Sequence, residues 1–197
     1  MAGMIPEINR TALLSMDLQN AIVSVYTKGQ DDFLPRIAGV LNAARLSGMN
    51  VIHVQVGFRP GLPEIGTRNS LFAAIKSSPQ WQQVFQGTAG AIHPAVAPQG
   101  EDIVIVKHRV SAFTGTDLEM ILRAREIETL ILMGIATSGV VLSTLLHATD
   151  ADYRVIVVKD CCTDHDAEVH TSLTGKIFPR LGTVVHAAEL IEALRTN

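Results

Sequence analysis

Three points in the chain carry residue types suited to proton transfer at the end of a strand. Asp17 closes the apolar run "TALLSMD", Lys107 closes "DIVIVK", and the turn "GIATSG" (134–139) follows "TLILM". In an open α/β sheet, ligands bind outside the carboxyl ends of the strands. A carboxyl, a base-capable amine and a helix start would therefore converge at one sheet edge as an acid–base site. Each also has an ordinary role, since an Asp after a strand serves as a turn or cap residue and a Lys there is solvated. Their joint placement is what points to chemistry. The turn adds backbone N–H groups and the positive end of a helix dipole, suited to an anion or a developing oxyanion. A nucleophile is expected beside it, yet Val140 and Val141 stand there.

Other groups compete for a chemical role. Ser138 and Thr137 carry hydroxyls, although hydroxyls at helix starts are commonly caps. Cys161 and Cys162 follow "RVIVV", also at a carboxyl end, where buried, inert thiols are the usual outcome. Their adjacency argues against a disulfide between them, and the chain reads as reduced and cytoplasmic. Arg59 in "GFRPG" and Arg109 in "KHRVSAF" have the forked geometry to hold a substrate carboxylate, or to face solvent or an interface. Phe58, Trp81 and Phe113 are candidates for a pocket wall or for packing. Two cysteines and seven histidines show no zinc-ligand spacing, so neither a metal nor another cofactor is expected.

The elements that must position these residues are short apolar runs alternating with helical patterns. "TALLSMD", "NVIHVQV", "DIVIVK", "TLILM", "RVIVVKD" and "TVVHA" make six expected strands, and the alternation argues for βαβ units around a parallel sheet. The near-continuous Val, Ile and Leu of "IVIV", "LILM" and "VIVV" fits strands buried on both faces. Residues 57–100 break the pattern with five of the eight prolines and read as a long connection with a short helix around 71–76. Such insertions are usually functional or oligomeric features. With 197 residues, 47% hydrophobic, the chain is long enough for a full core and reads as one domain. A net charge of −3 leaves no broad basic surface for nucleic acid, which leaves a small molecule as the expected substrate. No apolar run approaches the roughly 18 residues of a membrane span, and "MAGMIPEINR" does not read as a secretory signal.

Taken together, these motifs resemble the isochorismatase-like hydrolases, a family that includes nicotinamidases and related cysteine amidohydrolases. The resemblance is carried by "DLQN" (17–20), "GTAGAIHP" (87–94), "KHRVSAFTGTDLEMILRAREIETLILMGIAT" (107–137) and "HATDADYRVIVVKDCCTD" (147–164), and runs from about Thr11 to His186. It implies a single domain over 1–197 with a Rossmann-like, three-layer α/β/α architecture and a six-stranded, mainly parallel sheet. It further implies a homodimer or higher homo-oligomer, and a site built from an Asp, a Lys and a Cys. Asp17 and Lys107 match the first two. Laying Gly134, Ala136 and Thr137 on the family's G-x-A-T-x-x-C-V turn puts Val140 at the cysteine position, and an isopropyl group cannot form a thioester.

Isochorismatases themselves look similar but carry glycine there, and cleave a vinyl ether with the Asp as acid and water as nucleophile. Val140 is bulkier than glycine, so the pocket beside it is expected to be smaller and drier. Desolvation would raise the Asp17 pKa and the Lys107 ammonium would lower it. Substrate contacts are expected from Gln19, Arg59, Phe113 and the turn residues Ala136, Thr137, Ser138 and Gly139. The metal site that nicotinamidases build after the second strand has no counterpart in "HVQVGFRPG", and His53 is assigned to the strand. The expectation is a small-molecule hydrolase without a cysteine nucleophile, using Asp17 as acid or base and Lys107 to tune it. The alternative is a catalytically silent member that binds a metabolite or a partner protein.

Overall fold

The computed structural model describes residues 7–196. Six strands, β1 (Thr11–Met16), β2 (Asn50–Val56), β3 (Ile103–Lys107), β4 (Thr129–Ile135), β5 (Arg154–Thr163) and β6 (Thr183–Val185), form one sheet in the order β3-β2-β1-β4-β5-β6. Every neighbouring pair is parallel. All six residues of β1 and all seven of β4 are buried, which is why these central strands read as unbroken apolar runs. β3 departs from that expectation. It is an edge strand with alternating burial, and Val104 and Val106 are 43% and 45% exposed. An edge position leaves one face of "IVIV" open to solvent.

Helices cover the sheet. α1 (Asn20–Tyr26) and α2 (Phe33–Leu46) lie between β1 and β2, α6 (Leu118–Ala124) precedes β4, and α7 (Leu142–Asp150) and α8 (Ala167–Ser172) flank β5. α9 (Ala187–Arg195) packs against α2 and β5. Its apolar face, Leu190, Ala193 and Leu194, follows helical spacing and is buried.

The connection over 57–100 holds three short helices where one was expected: α3 (Ser70–Ser77), α4 (Pro79–Val84) and α5 (Gly87–Gly90). The Asn69 side chain accepts the Phe72 N–H to start α3, and the Ser78 hydroxyl accepts the Trp81 N–H to start α4, with Pro79 at its first position. Phe72 and Ile75 of α3 join Leu62 and Ile65 in a small apolar cluster apart from the main core. Among the described residues, no helix is long and apolar enough to cross a membrane.

Candidate active site

Successive strands are added to one side of β1 up to β3 and to its other side from β4 on, so a switch point lies between β1 and β4, at whose carboxyl side a crevice opens in doubly wound sheets. Asp17 stands directly after β1, with a left-handed backbone (φ 57°) while its N–H still donates to Val54 O of β2 at 2.8 Å. Lys107 ends β3, two strands away. Strands lie about 4.8 Å apart, so the two backbones are separated by about 10 Å and only a long side chain can cross the end of β2. Lys107 does so, and its Nζ lies 2.9 Å from Asp17 Oδ2.

Both groups are out of water: Lys107 is 2% exposed and Asp17 5%. Nζ also donates to Arg109 O at 3.0 Å. Asp17 Oδ1, by contrast, has no hydrogen-bond partner among the described residues. Burial raises the Asp17 pKa above the usual carboxylate value, and the ammonium of Lys107 and its hydrogen bond only partly oppose the shift. Of the two effects opposed in the sequence reading, desolvation wins.

β4 delivers the third component. Gly134 (φ 143°) lies so close to β1 that a Cβ there would collide with the Met16 carbonyl oxygen. The Ile135–Ala136 peptide is cis. The turn Thr137–Val141 is broken at Gly139 (φ −97°, ψ −106°), so regular helix begins only at Leu142. Three of its N–H groups are already engaged, Ser138 N with Asp164 Oδ2 at 2.7 Å, and Gly139 N and Val141 N with Ala136 O at 3.1 and 3.3 Å. The anion-binding donors expected from the sequence are correspondingly fewer.

Asp17, Lys107, Val140, Ala136 and Gly139 line one cavity of about 380 Å³. Its other walls come from α1 (Ala21, Ile22, Val25, Tyr26) and from α3, α4 and the residue after them (Leu71, Phe72, Ile75, Trp81, Val84, Phe85). Arg109 is also in the wall.

The remaining candidates lie elsewhere. Gln19 is fully buried and ties loops together, donating to Val56 O and Gly90 O and accepting from Val56 N. Arg59 pairs with Glu64 at 2.6 Å and borders a larger, shallower depression of about 1020 Å³ beside β3, which has no acid–amine pair. Phe113 stacks on His147 with centroids 4.4 Å apart. Thr137 is buried with its hydroxyl 2.8 Å from His170 Nδ1, and Ser138 is exposed outside the cavity wall. Cys161 and Cys162 lie inside β5, which is longer than its apolar run, and both thiols are free and buried. Burial pushes the Cys162 thiol up to about 12 and Cys161 still higher, so neither is a thiolate near neutral pH. Among the described residues, no cluster of His, Cys, Asp and Glu is arranged to hold a metal ion.

A family model for the isochorismatase domain matches residues 11–189. The chain belongs to the isochorismatase family. This isochorismatase-family hydrolase is 28% identical to the maleamate amidohydrolase of Pseudomonas putida over 191 residues, 94% of this chain and 87% of the relative. A solved isochorismatase family protein from Burkholderia thailandensis shares 33% identity and superposes with a TM-score of 0.83, covering 95% of this chain and 96% of that one. A cysteine hydrolase from Pseudomonas syringae pv. phaseolicola, 25% identical, gives 0.86 over 96% of this chain and 94% of its own.

The wall residues from α1 and α4 were the least legible part of the family member's cavity. Ile22 and Val25 fall three residues apart on one helical face, a signal equally consistent with core packing. Trp81 was visible only as a large aromatic in an irregular stretch.

Proposed function

We propose that the protein hydrolyses a small molecule without a covalent enzyme intermediate, with Asp17 as proton donor and water as nucleophile. The supporting observation is the state of Asp17 in the cavity wall. One carboxyl oxygen is held by Lys107, the other is unpartnered, and burial favours the protonated form. With Val140 at the turn, no thiol is available there to attack the substrate.

In the reaction, the Asp17 carboxyl donates its proton to the heteroatom of the scissile bond. That bond breaks with its electron pair on the heteroatom, the oxygen of water bonds to the carbon, and the proton lost by water returns to the carboxylate. Lys107 offsets the negative charge that appears on Asp17 when its proton leaves. The maleamate amidohydrolase relative makes amides the first compounds to try, followed by ureas and vinyl ethers.

The test is a hydrolysis screen over those three classes with Asp17→Asn as control. The variant should lose at least about 100-fold in turnover, as expected for a removed general acid. An acid must be protonated, so wild-type activity should fall as pH rises through the raised Asp17 pKa. Lys107→Met removes the charge that lowers that pKa and should carry the falling limb to higher pH. Retention of most activity by Asp17→Asn would refute the assignment. An inert protein across the whole screen would favour the second reading, a silent family member that binds a metabolite, and the apolar wall at Val140 is the observation on that side.

A further inference from the structure

The cavity wall combines an apolar lining with one cation that lacks a charged partner. Asp17 is matched by Lys107 at 2.9 Å, and Glu64 is matched by Arg59 at 2.6 Å. Arg109 is different: its Nη1 donates to His108 O at 2.6 Å and its Nη2 to Glu64 O at 2.9 Å. Both acceptors are backbone carbonyls, and among the described residues no carboxylate comes within 4.0 Å of this guanidinium. Asp164 is spent on the N–H groups of Ser138 and His165 and is not in the wall.

The guanidinium is also fixed in direction. The two carbonyls hold it, and its central carbon lies 5.4 Å from the Phe72 ring centroid. Two of its five N–H donors are used, leaving donors for a further acceptor. A preset planar fork with spare donors is suited to a carboxylate. Counting the groups in the wall, Arg109 contributes one positive charge, and the Asp17–Lys107 pair contributes none when both are ionised and a second positive charge when Asp17 is protonated. In either state the wall is net positive, so an anion is favoured and a cation disfavoured. Ile22, Phe72 and Trp81 leave the rest of the wall apolar, so the ligand's body must be apolar to replace the water it displaces.

We propose that the cavity takes a carboxylate with an apolar aliphatic or aromatic body, anchored by Arg109. The presentation of a scissile bond to Asp17 rests on the hydrolase reading above, but the ligand class does not.

Trp81 is the sole tryptophan of the chain and lies in the wall, so its fluorescence reports occupancy directly. The experiment titrates the protein with phenylacetate and with 1-phenylpropan-2-one, a ketone nearly the same in shape but uncharged and without a bond to hydrolyse. Wild type should bind phenylacetate at least tenfold more tightly. Arg109→Gln should erase that preference by weakening the anion alone, and Lys107→Met should keep it. Arg109→Lys, which retains charge without the fork, should fall between and serves if the glutamine variant does not fold.

Equal affinity for the two probes, no binding of phenylacetate, or a preference that survives Arg109→Gln each overturns the proposal. So does a preference lost in Lys107→Met but kept in Arg109→Gln, because Lys107 would then be the anchor. Turnover does not enter this readout. A protein that binds the anion through Arg109 yet hydrolyses nothing refutes only the hydrolase reading, and one that hydrolyses neutral substrates without preferring carboxylates refutes only the ligand class.

Discussion

At position 140 an isopropyl group occupies the wall of the cavity that Asp17 and Lys107 also line. The same place offers a direct probe of local electrostatics. A thiol introduced by Val140→Cys would share the cavity with a buried ammonium, which favours the thiolate, while burial opposes it. For the two native thiols burial dominates: Arg36 offsets it only slightly at Cys161, and Cys162 is pushed up to about 12. In a Cys161→Ala, Cys162→Ala background, the introduced thiol should therefore be alkylated near neutral pH, with an apparent pKa below the free value of about 8.5. In an otherwise wild-type chain it should react faster than either native cysteine. Mass-spectrometric labelling rates measured against pH decide the matter. A thiol that titrates as if free, or that stays unlabelled in the folded protein, would mean that Lys107 does not govern this part of the wall.

At the scale of elements, the site depends on how closely β4 approaches β1. Gly134 makes that approach possible through a φ of 143° and the absence of a side chain against the Met16 carbonyl. Gly134→Ala should cost about 3 kcal/mol or more, since a backbone clash and an unfavourable φ coincide there. Urea unfolding would show it, and a loss under about 1 kcal/mol would mean that the strands can part cheaply. Asp17, Lys107 and this turn were legible in the sequence because each terminates an unbroken apolar run, a local signal. The roles of Gln19, Thr137 and Phe113 were not, because their partners Gly90, His170 and His147 are distant in sequence. The same holds for the α3–α4 wall. Its caps at Asn69 and Ser78 are local, but its position follows from the packing of Phe72 and Phe85 on Phe58, which no periodicity announces.

Across the whole molecule, the opposite end of the sheet holds a second buried polar cluster with a different consequence. His53 of β2 is 1% exposed, and its Nε2 lies 3.2 Å from Asp102 Oδ2, which also takes Arg45 Nη2 at 2.6 Å. The short distance looks like an ion pair. Burial is nevertheless the largest influence on His53, lowering its pKa against the raising effect of Asp102, so the imidazole is neutral in the folded state near pH 7. A histidine depressed on folding contributes stability that is present above its unfolded pKa of about 6.5 and is lost as pH falls toward and through the folded value. Half-buried His170 is shifted the same way. Asp102, itself lowered, loses its contribution only at more acid pH, below the ordinary carboxylate value. Asp17, whose pKa is raised, runs in the other direction and loses stability as pH rises. Between pH 6.5 and 5 the decline in stability should therefore come from the histidines, at a slope approaching about 1.4 kcal/mol per pH unit for each fully depressed one. His53→Gln should flatten that decline in urea unfolding measured at pH 7.5, 6.5, 5.5 and 5.0, whatever it costs at pH 7.5. Wild-type and variant curves that stay parallel over the whole range would show that His53 is not held neutral by its burial.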